Sequence, residues 1–417
     1  MSAETLRIDR LAPQGDGMVA TPEGPVYVPF TLPGELASLA VTKQRGTVMA
    51  LLETSPDRVE PPCRHFGPHG ENGTCGGCSL QHAGDALYHG FKRQLVVDAL
   101  AQRGIETEVA PLVLARPGER RRVTMTARRT EKAMLLGYNQ AESHHIVSVV
   151  ECPIASPGIV SRLSAIRRIA AALSSDADPF RITILETAVG LDLSVDGLKP
   201  LSDRHRRHVV DTVLGVPGLA RLAVAGEILV EPVRPVLDFG GVAVSPPPGG
   251  FAQASRVAEA AMADLVLAHL GKAKRVADLF AGSGTFSLRI ARQARVHAVE
   301  GDAKALQALD SAARAMQGLK PVTVEKRDLF RRPLMVSELK AFDAVVFDPP
   351  RAGAEAQCED LARSAVPIIA AVSCNPVTLA RDLSVLVKGG YRVASVTPID
   401  QFLWSSHVEA VATLVRD

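Results

Sequence analysis

Residues Val366–Val387 read VPIIAAVSCNPVTLARDLSVLV. The apolar run Val366 to Val372 predicts a buried strand, and a helical pattern runs from Val377 to Val387. Between them lie Ser373, Cys374, Asn375 and Pro376. Asn375 can cap the helix, and Pro376 suits its first position. Cys374 therefore falls at the carboxyl end of a parallel strand, beside the positive end of a helix. Open α/β sheets bind ligands at that place. A helix N-terminus also favours loss of a thiol proton. A buried structural cysteine would fit this stretch equally well, so the flanking sequence has to decide.

On either side of it, strand-like and helical patterns alternate. Strands are expected over Arg275 to Phe280, Arg295 to Glu300, Val322 to Lys326, Ala344 to Phe347, Tyr391 to Val396 and Val408 to Val415. Helices are expected over Gln253 to Leu270, Thr285 to Arg292, Lys304 to Met316 and about 356–364. The alternation predicts an α/β doubly wound parallel sheet. SPPPGG at 245–250 marks its boundary.

Four further strand ends fall at the same edge of that sheet. DLFAGSGTF, Asp278 to Phe286, joins the first strand to its helix, and Gly282 and Gly284 let the backbone approach a ligand. Ser287 stands where a dinucleotide fingerprint wants a third glycine, so a dehydrogenase is disfavoured. Glu300 ends the next strand and can accept two ribose hydroxyls; Asp328, after the third, can meet an adenine amino group. A nucleoside without pyrophosphate, such as S-adenosylmethionine, fits this set. Asp348-Pro349-Pro350-Arg351 ends the fourth strand, with two prolines fixing a carboxylate over the crevice. Amino-methylating enzymes place an aromatic after Asp-Pro-Pro, and here Arg351 replaces it. Glu409 lies in the last apolar strand, where burial would raise its pKa into the range of a general base.

The N-terminal half reads differently. Short apolar segments broken by Gly and Pro fill residues 1–56, a pattern of a small β-barrel. Residues 57–244 contain a cysteine-rich stretch, a helix expected over about 80–104 that could pack on the catalytic part, and strands over Arg120 to Arg128, Ala133 to Tyr138 and His145 to Val150. Arg116, Arg120, Arg121, Arg122, Arg128, Arg129 and Lys132 crowd this region, as a solvated face or a phosphate-contacting one. Residues 160–240, with Arg204-His205-Arg206-Arg207, suggest no chemistry. Residues 245–417 complete the division.

The 417 residues are 47% hydrophobic and only 4% aromatic, so aliphatic side chains must fill the cores. A net charge of +2 neither demands nor excludes nucleic acid. The opening residues lack a signal-peptide core and no run reaches membrane-spanning length, which together predict a cytoplasmic chain without a membrane partner. Four of six cysteines, Cys63, Cys75, Cys78 and Cys152, lie in the first 152 residues, two as C-x-x-C. That pattern suggests metal or cluster ligands rather than disulfides. Four thiolates suit zinc or a 4Fe–4S cluster. Pro153 after an isolated fourth cysteine leans toward the cluster. The spacing is not that of radical enzymes.

With these residues in view the chain resembles the bacterial RNA 5-methyluridine methyltransferases, specifically the iron–sulfur 23S rRNA type. FDPPRAG (Phe347 to Gly353), SCNPVTLARDL (Ser373 to Leu383) and HVEAV (His407 to Val411) carry the resemblance. It implies a class I methyltransferase fold, with 1–56 a TRAM-like, OB-like RNA-binding barrel and the central part an iron–sulfur domain. It makes Cys374 the nucleophile and Glu409 the base. It puts a 4Fe–4S cluster on Cys63, Cys75, Cys78 and Cys152. The methyl-donor site it implies includes Gln253, Phe280, Thr285, Glu300, Asp328 and Asp348, beside Gly282 and Gly284. Its tRNA-modifying members lack barrel and cluster, which favours 23S rRNA as the RNA partner; no obligate protein partner is evident. The chain departs from the family at Ala281, usually Cys; at Ser255, usually Asn; and in a long gap between Cys63 and Cys75.

The reaction so implied is S-adenosylmethionine-dependent methylation of uracil carbon 5. Cys374 adds to carbon 6, carbon 5 attacks the sulfonium methyl, Glu409 removes the carbon 5 proton, and the thiolate leaves. The base must be unstacked first. Rival readings are 5-methyluridine formation in tRNA, cytosine-5 methylation, methylation of exocyclic amines, and a non-catalytic ribosome-assembly factor.

Overall fold

The computed structural model describes residues 3–141, 143–174 and 176–416. Among these the chain forms three large sheets in succession. The first has six strands between Ala3 and Glu53 and closes on its own small core of Ile8, Val19, Val26, Val28, Ala37 and Leu39. The second has seven, in the spatial order Glu227–Val230, Leu219–Val224, Gly190–Asp196, Phe180–Thr187, Arg122–Arg129, Met134–Asn139, Ile146–Ser148. Helices Leu163–Leu173 and Asp203–Leu214 cover one face of it, through Ile166, Ile169, Val209 and Val213. The stretch without assigned chemistry thus supplies the scaffold of this sheet.

Much of the basic run is spent on structure. Arg121 is buried and reaches Glu259 at 2.5 Å, while Arg129 donates to the Ser174 carbonyl and Arg128 to that of Ala177. Within this run Arg120 and Arg122 stand beside the aromatic rings of Phe402 and Phe251, and Phe251 lines the cleft described below.

The third sheet positions the site. Its order is Val322–Lys326, Arg295–Glu300, Arg275–Leu279, Ala344–Phe347, Ile368–Ser373, Glu409–Val415, Arg392–Ile399. The first five run parallel, as the alternation predicts. Glu409–Val415 instead runs antiparallel to both its neighbours. The physical reason is the connection: only residues 400–408, without a helix, separate it from the strand before it, and a parallel return needs a crossover of a dozen residues or more. Helix Arg256–Leu270 packs on one face through Met262 and Val266. Helices Glu355–Arg363 and Pro376–Lys388 pack on the other, joined there by Val96, Ala99 and Leu100 of helix Asp85–Ala101. The helix expected over Thr285 to Arg292 is only Ser287–Ile290. Among the described residues no helix is long and apolar enough to cross a membrane.

Candidate active site

Cys374 follows strand Ile368–Ser373 directly, and Asn375 caps the next helix by accepting from the Val377 amide at 3.1 Å, with Pro376 in its first turn. The antiparallel register pairs Ser373 with Ala410. Cys374 comes just after this pair and Glu409 just before it, so the two meet at one corner of the sheet and both line the cleft. Asn375 Nδ2 and Thr378 Oγ1 both donate to the Arg351 carbonyl at 3.2 Å, tying the Asp-Pro-Pro-Arg turn to the same corner. Cys374, Asp348 and Glu409 thus face one cleft of about 500 Å³.

Glu409 is 4% exposed, and its carboxyl is linked to Asp348 through two glutamines. Gln401 Nε2 donates to Glu409 Oε1 and to Gln253 Oε1, each at 2.9 Å. Gln253 Nε2 donates to Asp348 Oδ2 at 3.0 Å. Burial raises both carboxyls above the ordinary carboxylate range, and their mutual repulsion adds to it. Ionising both costs more than ionising either, so the pair acts as one titrating unit.

The thiol departs from expectation. Cys374 is pushed up to about 11, first by burial and then by Glu409 and Asp348, with Arg351 opposing. The helix N-terminus is present, but burial first and the two nearby carboxyls second outweigh it, so the resting thiol is protonated at neutral pH. The expectation of a readily ionised cysteine does not hold for the free protein. Arg351 donates to His407 Nδ1 at 2.8 Å, and His407 is lowered to about 4 by burial and nearby cations, so it stays neutral.

The other end of the cleft is built for a nucleoside. Phe280 and Gly282 hold positive φ angles of 60° and 55°, which turn the loop after strand Arg275–Leu279 around the cavity. Glu300 accepts from the amides of Gly282 at 2.9 Å and Asp302 at 2.7 Å, which fix its carboxylate and leave further lone pairs facing the cleft. Phe251, Gln253, Phe280, Thr285, Glu300, Asp328 and Asp348 all line it. Gly284 does not. Its φ is 101°, and a Cβ there would meet Leu309 Cγ at 2.9 Å, so this glycine serves close packing behind the loop.

Two residues went unnoticed in the sequence. Phe330, 51% exposed, sets its ring 5.4 Å from that of Phe280. Gln401 joins Gln253 to Glu409. A polar residue buried just before a carboxylate-bearing strand was the available signal for Gln401; an isolated loop phenylalanine offered none.

Cys63, Cys75, Cys78 and Cys152 line a second, much smaller cavity of about 20 Å³, with Tyr138 and Gln81 in its wall. All four are free thiols. Burial pushes Cys75 up to about 11 and Cys78 up to about 12, and Cys63 upward as well, and the thiols oppose one another's ionisation. Among the described residues no three His, Cys, Asp or Glu side chains converge as a single metal ion would require.

A nucleoside-sized cleft that presents a thiol and a buried carboxyl across one strand pair defines a class of methyl-transferring enzyme. The chain belongs to the S-adenosylmethionine-dependent RNA (uracil-5-)-methyltransferase family. Residues 247–417 match the tRNA (Uracil-5-)-methyltransferase family. An RNA methyltransferase of Rhizobium meliloti (strain 1021) is 71% identical over the whole of both chains. A 23S rRNA (uracil(1939)-C(5))-methyltransferase of Chromohalobacter salexigens is 34% identical, over 100% of this chain and 90% of that one. The crystal structure of the Pyrococcus abyssi tRNA (uracil-54, C5)-methyltransferase with S-adenosyl-L-homocysteine superposes over 99% of both chains, with a TM-score of 0.77 at 21% identity. That full-length match corrects one expectation. A tRNA-acting relative shares the whole fold, so the N-terminal parts do not by themselves separate rRNA from tRNA enzymes.

Proposed function

We propose that this enzyme methylates carbon 5 of one uridine in 23S rRNA through a covalent bond between Cys374 and uracil carbon 6. The observation that carries the reading is the single cleft that Cys374 and Glu409 line together with Glu300 and Asp328. As Cys374 sulfur bonds to carbon 6, the thiol proton passes to the carboxyl pair and carbon 5 becomes an enolate carbon. Carbon 5 takes the methyl group from the sulfonium, leaving S-adenosylhomocysteine. Glu409 takes the carbon 5 proton, the 5,6 double bond re-forms, and Cys374 leaves as thiolate and regains a proton. One proton is released per methyl transferred. A pKa above the usual carboxylate range suits Glu409 to that task. Asp348 hydrogen-bonds the uracil ring.

For the methyl donor, Glu300 accepts the ribose hydroxyls, Asp328 meets the adenine amino group, and Phe280 with Phe330 flanks the adenine. Gln253, Thr285 and the Gly282 backbone complete the site. The choice of ribosomal RNA rests on the kinship with the Chromohalobacter enzyme along the full chain. The N-terminal sheet is read as a TRAM-like RNA-binding barrel, the three parts as 1–56, 57–244 and 245–417, and the site of action as the cytoplasm.

The four-cysteine cavity fits a 4Fe–4S cluster better than one ion. Four thiols line one cavity without converging on a single centre, and burial makes Cys63, Cys75 and Cys78 costly to ionise without a cation. Cys63, Cys75, Cys78 and Cys152 would hold it. Through a cluster held there, these cysteines would tie the cysteine-rich segment to the basic sheet.

The test is mapping of 5-methyluridine in RNA from cells with and without the gene. Loss of one methyluridine from 23S rRNA supports the proposal. Loss from tRNA with intact 23S rRNA overturns it.

A further inference from the structure

Lys92 is 0% exposed, on helix Asp85–Ala101, in a chain region without assigned chemistry. Lysine is among the residues least often fully buried. Its Nζ donates to Asp400 Oδ1 at 3.0 Å, to the Phe402 carbonyl at 3.1 Å and to the His407 carbonyl. Those three acceptors use all three ammonium protons. All lie in the loop 400–408, which carries Gln401 near its start and runs directly into Glu409.

A second contact set holds the same loop. Tyr88, one turn before Lys92, donates from Oη to Asp400 Oδ2 at 2.7 Å and accepts from the Trp404 amide at 2.7 Å. Trp404 holds a φ of 55°, a strained value for a bulky residue, and its carbonyl accepts from the amides of Ser79 at 2.9 Å and Leu80 at 3.0 Å. Those amides follow Cys78. The loop is thus gripped by one helix and by the peptide leaving the four-cysteine cavity. Replacing a buried ion pair by apolar groups is often neutral for stability, so stability alone explains a buried lysine poorly.

We propose that Lys92 is a positioning residue for the methyl-transfer reaction, holding the loop 400–408 so that Gln401 and Glu409 stay set over Cys374. This rests on the reading of Glu409 as the base. Lys92 acts on Glu409 through the loop and through its charge. The groups acting on Glu409 are Asp348, which disfavours its ionisation, and Gln401, Lys92 and Arg351, which favour it; Cys374 shares the cleft.

The test measures tritium release from RNA carrying [5-³H]uridine, against pH, for Lys92→Met, Lys92→Met/Asp400→Asn and Tyr88→Phe. The double variant removes both charges together and so avoids stranding the Asp400 carboxylate. Without the ammonium, Glu409 ionises only at higher pH. Release that rises with pH should therefore shift upward by on the order of one pH unit in Lys92→Met, about tenfold slower on the acidic limb, and by less in the double variant, which also removes the opposing Asp400 charge. S-adenosylhomocysteine affinity should change less than about twofold, a factor too small to reflect a lost contact. Tyr88→Phe keeps the charge, so it should slow release without moving the limb.

An unchanged pH profile in Lys92→Met, with only a lowered Tm, overturns the proposal. So does a failure of both to fold while Tyr88→Phe and Asp400→Asn release tritium at the parent rate. Glu409→Gln in the same assay separates the two claims. Normal release there defeats the base assignment itself; blocked release beside an unmoved Lys92 profile defeats only this inference.

Discussion

Gln401→Leu isolates the link between the two carboxyls. Leucine nearly conserves volume, so the substitution removes donors without opening a cavity. Two hydrogen bonds of 2.9 Å are lost, one to Glu409 Oε1 and one to Gln253 Oε1, in a site where Gln401 is only 4% exposed. A hydrogen bond to a charged group contributes about 1.5–3 kcal/mol and a neutral one about 1 kcal/mol. The bond to Glu409 favours its ionised form, which is the form that takes a proton. Its loss should therefore fall on proton removal, raising that barrier by about 1.5–3 kcal/mol, a slowing of roughly 10- to 150-fold. Addition of Cys374 and methyl transfer come earlier and should change less. A single-turnover experiment with [5-³H]uridine RNA reads the two apart. Protein-bound RNA on a denaturing gel should accumulate, while tritium appears slowly. Parent-like tritium release with no accumulated adduct would refute the reasoning, because the glutamine link would then have no bearing on the base.

Glu409→Gln should alter stability with a defined sign. Burial and Asp348 raise the native carboxyl above its unfolded value, so its favourable contribution is present at acid pH and is lost as pH rises through the native pKa. The variant's Tm relative to the parent should therefore climb between pH 5 and pH 9, a range bracketing ordinary and raised carboxyl values, and a flat difference by calorimetry would contradict the burial argument. Phe330→Ala removes half of the Phe280–Phe330 pair and should weaken S-adenosylhomocysteine binding by about 1 kcal/mol, roughly fivefold by titration calorimetry; unchanged affinity would remove Phe330 from the donor site. Cys78→Ser should abolish bound iron and broad visible absorption in anaerobically prepared protein. Stoichiometric zinc in the parent protein would refute the cluster.

Local signals carried much of this architecture. The run Val366 to Val372 is apolar because it is buried on both sheet faces, and the Asn375-Pro376 pair announces a helix start through capping chemistry; both are short-range physics. The antiparallel turn of the last strand was harder to see, since strand direction depends on the length and content of a connection rather than on side-chain pattern. Residues around the cleft were legible where they ended strands, as Glu300 and Asp348 do. Gln401 was not, because its importance lies in partners 148 residues and 8 residues away. The raised Cys374 thiol was misread for a related reason. A helix N-terminus is visible in sequence, whereas the two carboxyls that oppose it come from other strands. Lys92 likewise looks like an ordinary helix-surface residue until the loop 400–408 folds over it.

The most direct test is mass analysis of Glu409→Gln after incubation with S-adenosylmethionine and substrate RNA. With proton removal blocked, the methylated uracil should remain bound through carbon 6, and digestion should find it on the peptide containing Cys374 and on no other. Free methylated RNA with no attached peptide, or a nucleotide attached to a different residue, would contradict the account.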